Sequence, residues 1–205
     1  MGKVIADVQG KVKTSDTSAT FAVENATSSV DYVLSGTDGS ANDHLKTDGS
    51  GNLAWVTPTG GLFSGYAIFA DQKTQGTNGG TFTSGAWRQR DINTTVANTD
   101  TTNITLGTNE FTLLAGNYLI RWDVAAYTVY QNITRLYDGT SSVGQGLSSN
   151  SNTWGTPGSA RVTPGTSTTY EIQHWCDTTL ATYGFGLQAG FSTEQYLTVE
   201  IYKES

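Results

Sequence analysis

The stretch FTLLAGNYLIRWDVAAYTVYQNITRLYD, Phe111 to Asp138, decides the fold. Gly116-Asn117 reads as a turn between two runs rich in β-branched and aromatic residues. From there Tyr118, Ile120, Trp122, Val124 and Ala126 alternate with Leu119, Arg121, Asp123, Ala125 and Tyr127. A period of two with one mixed polar face marks a half-buried strand. Thr, Val, Tyr and Trp also suit a pleated surface better than a helix. A second strand is expected over Gln131–Tyr137. There Ile133, Arg135 and Tyr137 alternate with Asn132, Thr134 and Leu136.

The rest of the chain is the same material. Among 205 residues there are 24 Gly, 10 Tyr and 5 Trp, and Ser, Thr and Asn are abundant. Few stretches combine Ala, Leu, Glu and Lys, so long helices are not expected. Charged residues make up 14% and the net charge is −7, with Lys and Arg scattered. That balance argues against nucleic-acid binding, which needs a basic footprint to neutralise phosphates. No apolar run approaches the roughly 20 residues that cross a bilayer as a helix. The N-terminal MGKVIADVQGKVK lacks a long apolar segment, so no signal peptide is expected. The one cysteine, Cys176, has no partner for an intrachain disulfide and reads as a small buried hydrophobe.

Residues 1–29 hold short alternating segments such as Val4, Ala6 and Val8, with little bulk to bury. Thr37-Asp38-Gly39-Ser40-Ala41-Asn42 recurs ten positions on as Thr47-Asp48-Gly49-Ser50-Gly51-Asn52. Asp-Gly suits tight hairpin turns, and apolar residues flank both copies. The spacing does not match an EF-hand loop, and no metal or cofactor is expected. Thr57-Pro58-Thr59-Gly60-Gly61 reads as a corner, which places the domain boundary between 1–61 and 62–205. Beyond it, strands are expected at 64–70, 81–90, 101–106, 110–114, 159–163, 168–176, 183–187 and 195–202. The segment 139–157 is expected to be a long loop around Trp154. Eight or more short strands with turns between them predict an all-β sandwich or jelly roll.

The sequence offers little for catalysis. His174 and Cys176 share one face of an expected strand, but such a pair reads more readily as two core residues than as a nucleophile and base. No nucleophile elbow or phosphate loop appears, and nothing selects a carboxylate pair from Asp71, Asp91, Asp123, Glu171 and Glu194. A binding role has more support. Aromatic rings beside amides can stack on sugar faces while the amides read hydroxyls. The loop candidates are Trp154 with Asn150 and Asn152, Tyr130 with Gln131, and Tyr183. Trp87, Trp122 and Trp175 fall in strand patterns and are expected in the core.

Several phrases, taken together, resemble a known group. They are YAIFADQKTQGTNGGTFTSGAWRQRDIN (66–93), FTLLAGNYLI (111–120), TRLYDGT (134–140), TYEIQHWC (169–176) and YLTVEIYKE (196–204). They resemble the C-terminal domains of fibre and structural proteins of cyanobacterial and related aquatic phages. LKTDGSGNLAWV (45–56) resembles a segment that precedes such domains. The strand order is also similar to the trimeric jelly roll of tumour necrosis factor and of the globular heads of complement's first component, where a Gly-x-Tyr strand like Gly116-Asn117-Tyr118 builds the core near a threefold axis. The resemblance implies a homotrimeric jelly-roll head on a β-rich N-terminal stem. Tyr118, Tyr196 and Tyr202 would lie at the trimer interface. It implies a non-enzymatic virion component, made in a bacterial cytoplasm. Residues 1–60 would attach to another virion protein, and the head would meet a host-surface polysaccharide. The alternative is a purely structural capsid or tail decoration without receptor binding.

Overall fold

The structure is a computed structural model that describes residues 20–25, 28–33, 39–50, 52–58, 61–150 and 155–205. The alternating segments expected before residue 20, and Trp154 with Asn152, lie outside the described residues. The chain divides into two compact units, Met1–Thr59 and Gly60–Ser205.

In the first unit β1 (Thr20–Asn25) pairs antiparallel with β2 (Ser28–Val33), from Thr20 opposite Val33 to Asn25 opposite Ser28. A second hairpin joins β3 (His44–Thr47) to β4 (Leu53–Val56) across the second Thr-Asp-Gly copy. Gly49 takes the positive φ of 81° that the turn needs. Asp48 closes that turn with its own carboxylate. Oδ1 accepts from Ser50 N at 2.7 Å, and Oδ2 accepts from Asn52 Nδ2 at 2.7 Å. The Asn52 side chain, then the Ser50 amide, hold the Asp48 carboxyl below its ordinary range. The first copy is held differently: Ser40 N donates to Asp43 Oδ2 at 2.7 Å, and Asn42 takes φ 74°.

The second unit is a two-sheet sandwich. Its strands are β5 (Phe63–Lys73), β6 (Arg88–Gln89), β7 (Thr94–Asn98), β8 (Ile104–Leu106), β9 (Phe111–Leu113) and β10 (Tyr118–Val124). Then come β11 (Gln131–Tyr137), β12 (Ser142–Gln145), β13 (Ser149–Asn150), β14 (Gly158–Val162), β15 (Thr168–Cys176) and β16 (Glu194–Glu204). One sheet runs β14-β10-β16-β5-β7 and the other β12-β11-β15-β9-β8, with β13 beside β11 and β6 beside β15. The pairings nest. The outermost strands β5 and β16 pair, then β9 with β15, then β10 with β14, then β11 with β12. Successive pairs fall alternately in one sheet and the other, as if one long hairpin were rolled up. That nesting defines a jelly roll.

The core lies between the sheets. Strand β10 points Tyr118, Ile120, Trp122 and Val124 inward and leaves Leu119, Arg121 and Asp123 outside. Val199 and Ile201 of β16 and Phe69 of β5 join them, facing Phe111, Leu113, Tyr170, Ile172 and Leu136 of the other sheet. Strand β11 turns its more polar side, Asn132, Thr134 and Leu136, inward. Burial of a polar group is tolerable only when it is bonded. Trp122 Nε1 donates to Thr134 Oγ1 at 2.8 Å, and the Thr134 hydroxyl donates to Thr156 O at 3.1 Å. The indole also fixes β14, because a Cβ on Gly158 would lie 2.1 Å from the ring.

Several expected elements differ. Segment 94–98 is a strand that was not expected, and 139–157 contains the short β12 and β13. Segment 183–187 is not a strand. Thr182 at φ 69° and Gly186 at φ 146° bend the chain there, and Tyr183 N donates to Ala181 O. Of the expected 81–90 strand, Arg88–Gln89 forms β6, and Phe82 makes an isolated antiparallel bridge to Leu180.

Candidate glycan-binding face

Strand β15 sorts its residues by alternation: Tyr170, Ile172, His174 and Cys176 point inward, and Glu171, Gln173 and Trp175 point outward. In register, Trp175 lies opposite Ile133, Gln173 opposite Arg135, and Glu171 opposite Tyr137. Gln89 of β6 lies opposite Gln173 on the other side. The outer face of the seven-stranded sheet therefore carries rings, amides, the Arg135 guanidinium and the Glu171 carboxylate. Trp87 and Trp175 correct the core expectation. Both are half-buried on or beside this face, and of the three strand tryptophans only Trp122 is enclosed. The reason is phase: β15 spends its inward positions on His174 and Cys176, which sends Trp175 out.

Two features sit side by side on this face. The first is a shallow groove of about 280 Å³ lined by Gln131, Ile133, Ser149, Asn150 and Trp175, with Asn132 at its floor. Pairing of β13 with β11 sets Asn150 opposite Gln131. The adjoining Tyr130 is 48% exposed, held at φ 56°. Its carbonyl accepts from Asn132 Nδ2 at 2.9 Å, which secures that unusual backbone. The second is a stack in which the Arg135 guanidinium lies 4.3 Å from the Trp87 ring centroid and 4.7 Å from that of Tyr137. Arg135 Nε donates to Gln173 Oε1 at 2.7 Å, and Gln173 Nε2 donates to Glu171 Oε1.

Of the glycan candidates read from the sequence, Asn150 and Gln131 line this groove, and Tyr130 precedes Gln131 in the chain without lining it. Tyr183 does not line it. Its ring packs edge-on against Tyr127 at 5.7 Å. Trp154 and Asn152 lie outside the described residues. Trp175 lines the groove and not the core, in keeping with Thr169, Glu171 and Gln173, the polar residues that share its side of β15.

Beneath the face lies a buried polar cluster. His174 Nε2 pairs with Asn132 Oδ1 at 3.0 Å. The Asn132 amide already donates to Tyr130, so Nε2 carries the proton and Nδ1 is the acceptor. Burial, then the nearby Arg90 charge, hold His174 well below its ordinary range, so the ring is neutral at pH 7. Arg90 is fully buried. It donates to Ala125 O at 3.2 Å, Phe185 O at 3.1 Å and Tyr196 O at 3.0 Å, and lies 4.2 Å from the Phe185 ring centroid. Burial lowers it to about 10, where it is still charged at pH 7. Cys176 shares the His174 face, yet its thiol donates to Thr178 O at 3.4 Å and is pushed up to about 11 by burial, then by Asp177. The thiol is thus protonated at neutral pH, and the imidazole is engaged with Asn132. Among the described residues no three His, Cys, Asp or Glu side chains gather as metal ligands do.

Two interface tyrosines need correction. Tyr118 is fully buried and donates to Leu114 O at 3.0 Å. Tyr196 is 4% exposed and donates to Thr77 O at 2.7 Å. A bulge between Gln195 and Leu197 turns both Tyr196 and Leu197 inward, off the phase that strict alternation gives. Tyr202 does lie outward, its ring centroid 5.0 Å from that of Phe63.

No protein-family model matches the chain, and no curated protein matches it. Among solved structures it is similar to murine APRIL at pH 8.0, with 5% identity and a TM-score of 0.45 over 68% of this chain and 98% of that one. The globular domain of zebrafish complement 1qA protein gives 13% identity and a TM-score of 0.42 over 66% and 95%. The strand nesting described above, not these likenesses, is what identifies the jelly roll.

Proposed function

We propose that the second unit is the head of a homotrimeric virion component that binds host-surface glycan through the outer face of its seven-stranded sheet. The first unit attaches it to a particle, and the role is one of binding. The observation that carries the glycan reading is the groove in which Trp175 lies beside Gln131 and Asn150, next to the exposed Tyr130. A ring offers an apolar surface to a sugar face, and amides on rigid strands read hydroxyls at fixed positions. The virion setting rests on the sequence phrases quoted above.

The trimer reading is supported by the opposite face. There Leu119, Tyr202 and Tyr66 lie in one row of register across β10, β16 and β5. Phe63 packs on Tyr202, and the charges beside them are paired, Arg161 with Glu204 at 2.7 Å and Arg121 with Asp123 at 3.2 Å. An apolar row rimmed by satisfied charges suits contact with another copy of the chain. Three heads on one particle component would multiply weak sites into useful avidity.

Binding of the full chain to a panel of neutral and acidic bacterial polysaccharides tests the glycan reading. Saturable binding that weakens about tenfold in Trp175→Ala supports it. Silence across the whole panel removes it and leaves a structural decoration.

A further inference from the structure

We infer that the glycan held on this face is acidic, a linear polysaccharide bearing carboxylate or sulfate groups, read by Arg135. The inference rests on the glycan reading and adds the charge of the ligand. Arg135 is the only cation in the stack, its guanidinium over the rings of both Trp87 and Tyr137. Among the described residues it forms no ion pair. Nε and Nη2 donate to the neutral Gln173, and Nη1 makes no hydrogen bond. The nearest acid across the register, Glu171, is engaged by Gln173 instead. Elsewhere in this unit the exposed guanidinium groups of Arg121 and Arg161 each hold a carboxylate.

A guanidinium held against two rings and bonded to Gln173 has given up rotamer freedom before any ligand arrives, so less is lost on binding. Gln173 takes the Nε–Nη2 edge, which leaves the Nη1–Nη2 edge of the planar group to meet a carboxylate or sulfate. The row from Ile133 and Trp175 to Tyr137 and Glu171 spans about 14 Å along the strands, room for more than one sugar ring. The net charge of −7 makes general attraction to polyanions an unsuitable explanation for binding, because the long-range field repels them.

The test measures binding of polygalacturonate and of its fully methyl-esterified form by calorimetry, with alginate and dextran sulfate as further acidic polymers. The esterified form keeps the sugars and removes the charge, so the native chain alone gives an answer. The expected result is at least one acidic polymer bound. If that polymer is polygalacturonate, it binds about tenfold more tightly than the ester, and Arg135→Gln brings the two forms within about a factor of two. Equal binding of acid and ester overturns the charge reading while the glycan reading stands. A preference that survives in Arg135→Gln overturns the role of Arg135. Binding of neutral polysaccharides with silence toward all three acidic polymers also overturns the inference. Silence toward neutral and acidic polymers alike removes the glycan function with it.

Discussion

The two sheets of the second unit present unlike faces to the outside. The five-stranded sheet shows Leu119, Tyr202 and Tyr66 in a row, and its guanidinium groups are each matched to a carboxylate. The seven-stranded sheet shows Trp175, Trp87 and Tyr137 among amides, and its guanidinium stacks on rings without a carboxylate. A face whose charges are satisfied and whose rings are aligned is ready for another protein surface. A face of separate rings and amides, with a cation that has no ion pair among the described residues, would suit a polar ligand. One core supports both, and β10 and β15 divide their residues between core and face by the same alternation.

The largest effect is expected where the faces share their support. Trp122→Ala removes a fully buried indole and its bond to Thr134, and should cost about 3–5 kcal/mol in a denaturation experiment, loosening both faces together. A clean separation of the faces should come next. Tyr202→Glu places a charge in the apolar row and should convert a species of about 65 kDa, three chains of 21.8 kDa, into monomer by light scattering. Its per-site glycan affinity should not change. Conversely, Trp175→Ala should weaken glycan binding about tenfold, near 1.4 kcal/mol, and leave the mass unchanged.

A smaller effect should follow pH through the polar cluster under the outer face of the seven-stranded sheet. His174 is held neutral in the fold, well below its ordinary 6.5, by burial and by Arg90. The unfolded chain therefore takes up a proton first as pH falls. Stability should be level above about 6.5 and decline below it by at most about 1.4 kcal/mol per pH unit, until the folded-state value is reached. Cys176, which shares the inward side of β15, stays protonated across this range. Glu194 is held below its ordinary 4.5 by the amides of Ala189, Gly76 and Gly190, so its contribution is lost only at lower pH. His174→Gln keeps a donor for Asn132 and should flatten the decline between pH 6.5 and 5 in melting curves. The least effect is expected from Arg161→Ala. Its exposed pair with Glu204 should be worth too little to move the melting temperature measurably.

Much of the second unit was legible from alternation alone. Strand β10 reads inward and outward as its letters suggest, and Thr168–Cys176 forms one strand with the bounds expected of it. What alternation could not supply was phase. On β15, His174 and Cys176 compete with Trp175 for the interior, and the choice is settled by a bond from His174 to Asn132 on a neighbouring strand. On β16 one extra residue at the bulge moves Tyr196 from the expected surface into the core. In the Arg135 stack, Arg135 and Tyr137 share one side of β11, but Trp87 comes from a distant segment, so the three-part arrangement had no local signature. Asn150 and Tyr130 could be named as candidates because amides and rings beside turn residues are chemistry that suits a sugar.

The most direct measurement is an NMR titration of the indole N–H signals with an acidic polysaccharide that the chain binds. The chain has five tryptophans, so each signal can be assigned by single substitution. The account expects the signals of Trp175 and Trp87 to move together with the ligand, while that of Trp122, buried and bonded to Thr134, stays in place. Saturable binding with Trp175 and Trp87 unmoved would contradict it, because the ligand would then sit on some other part of the protein.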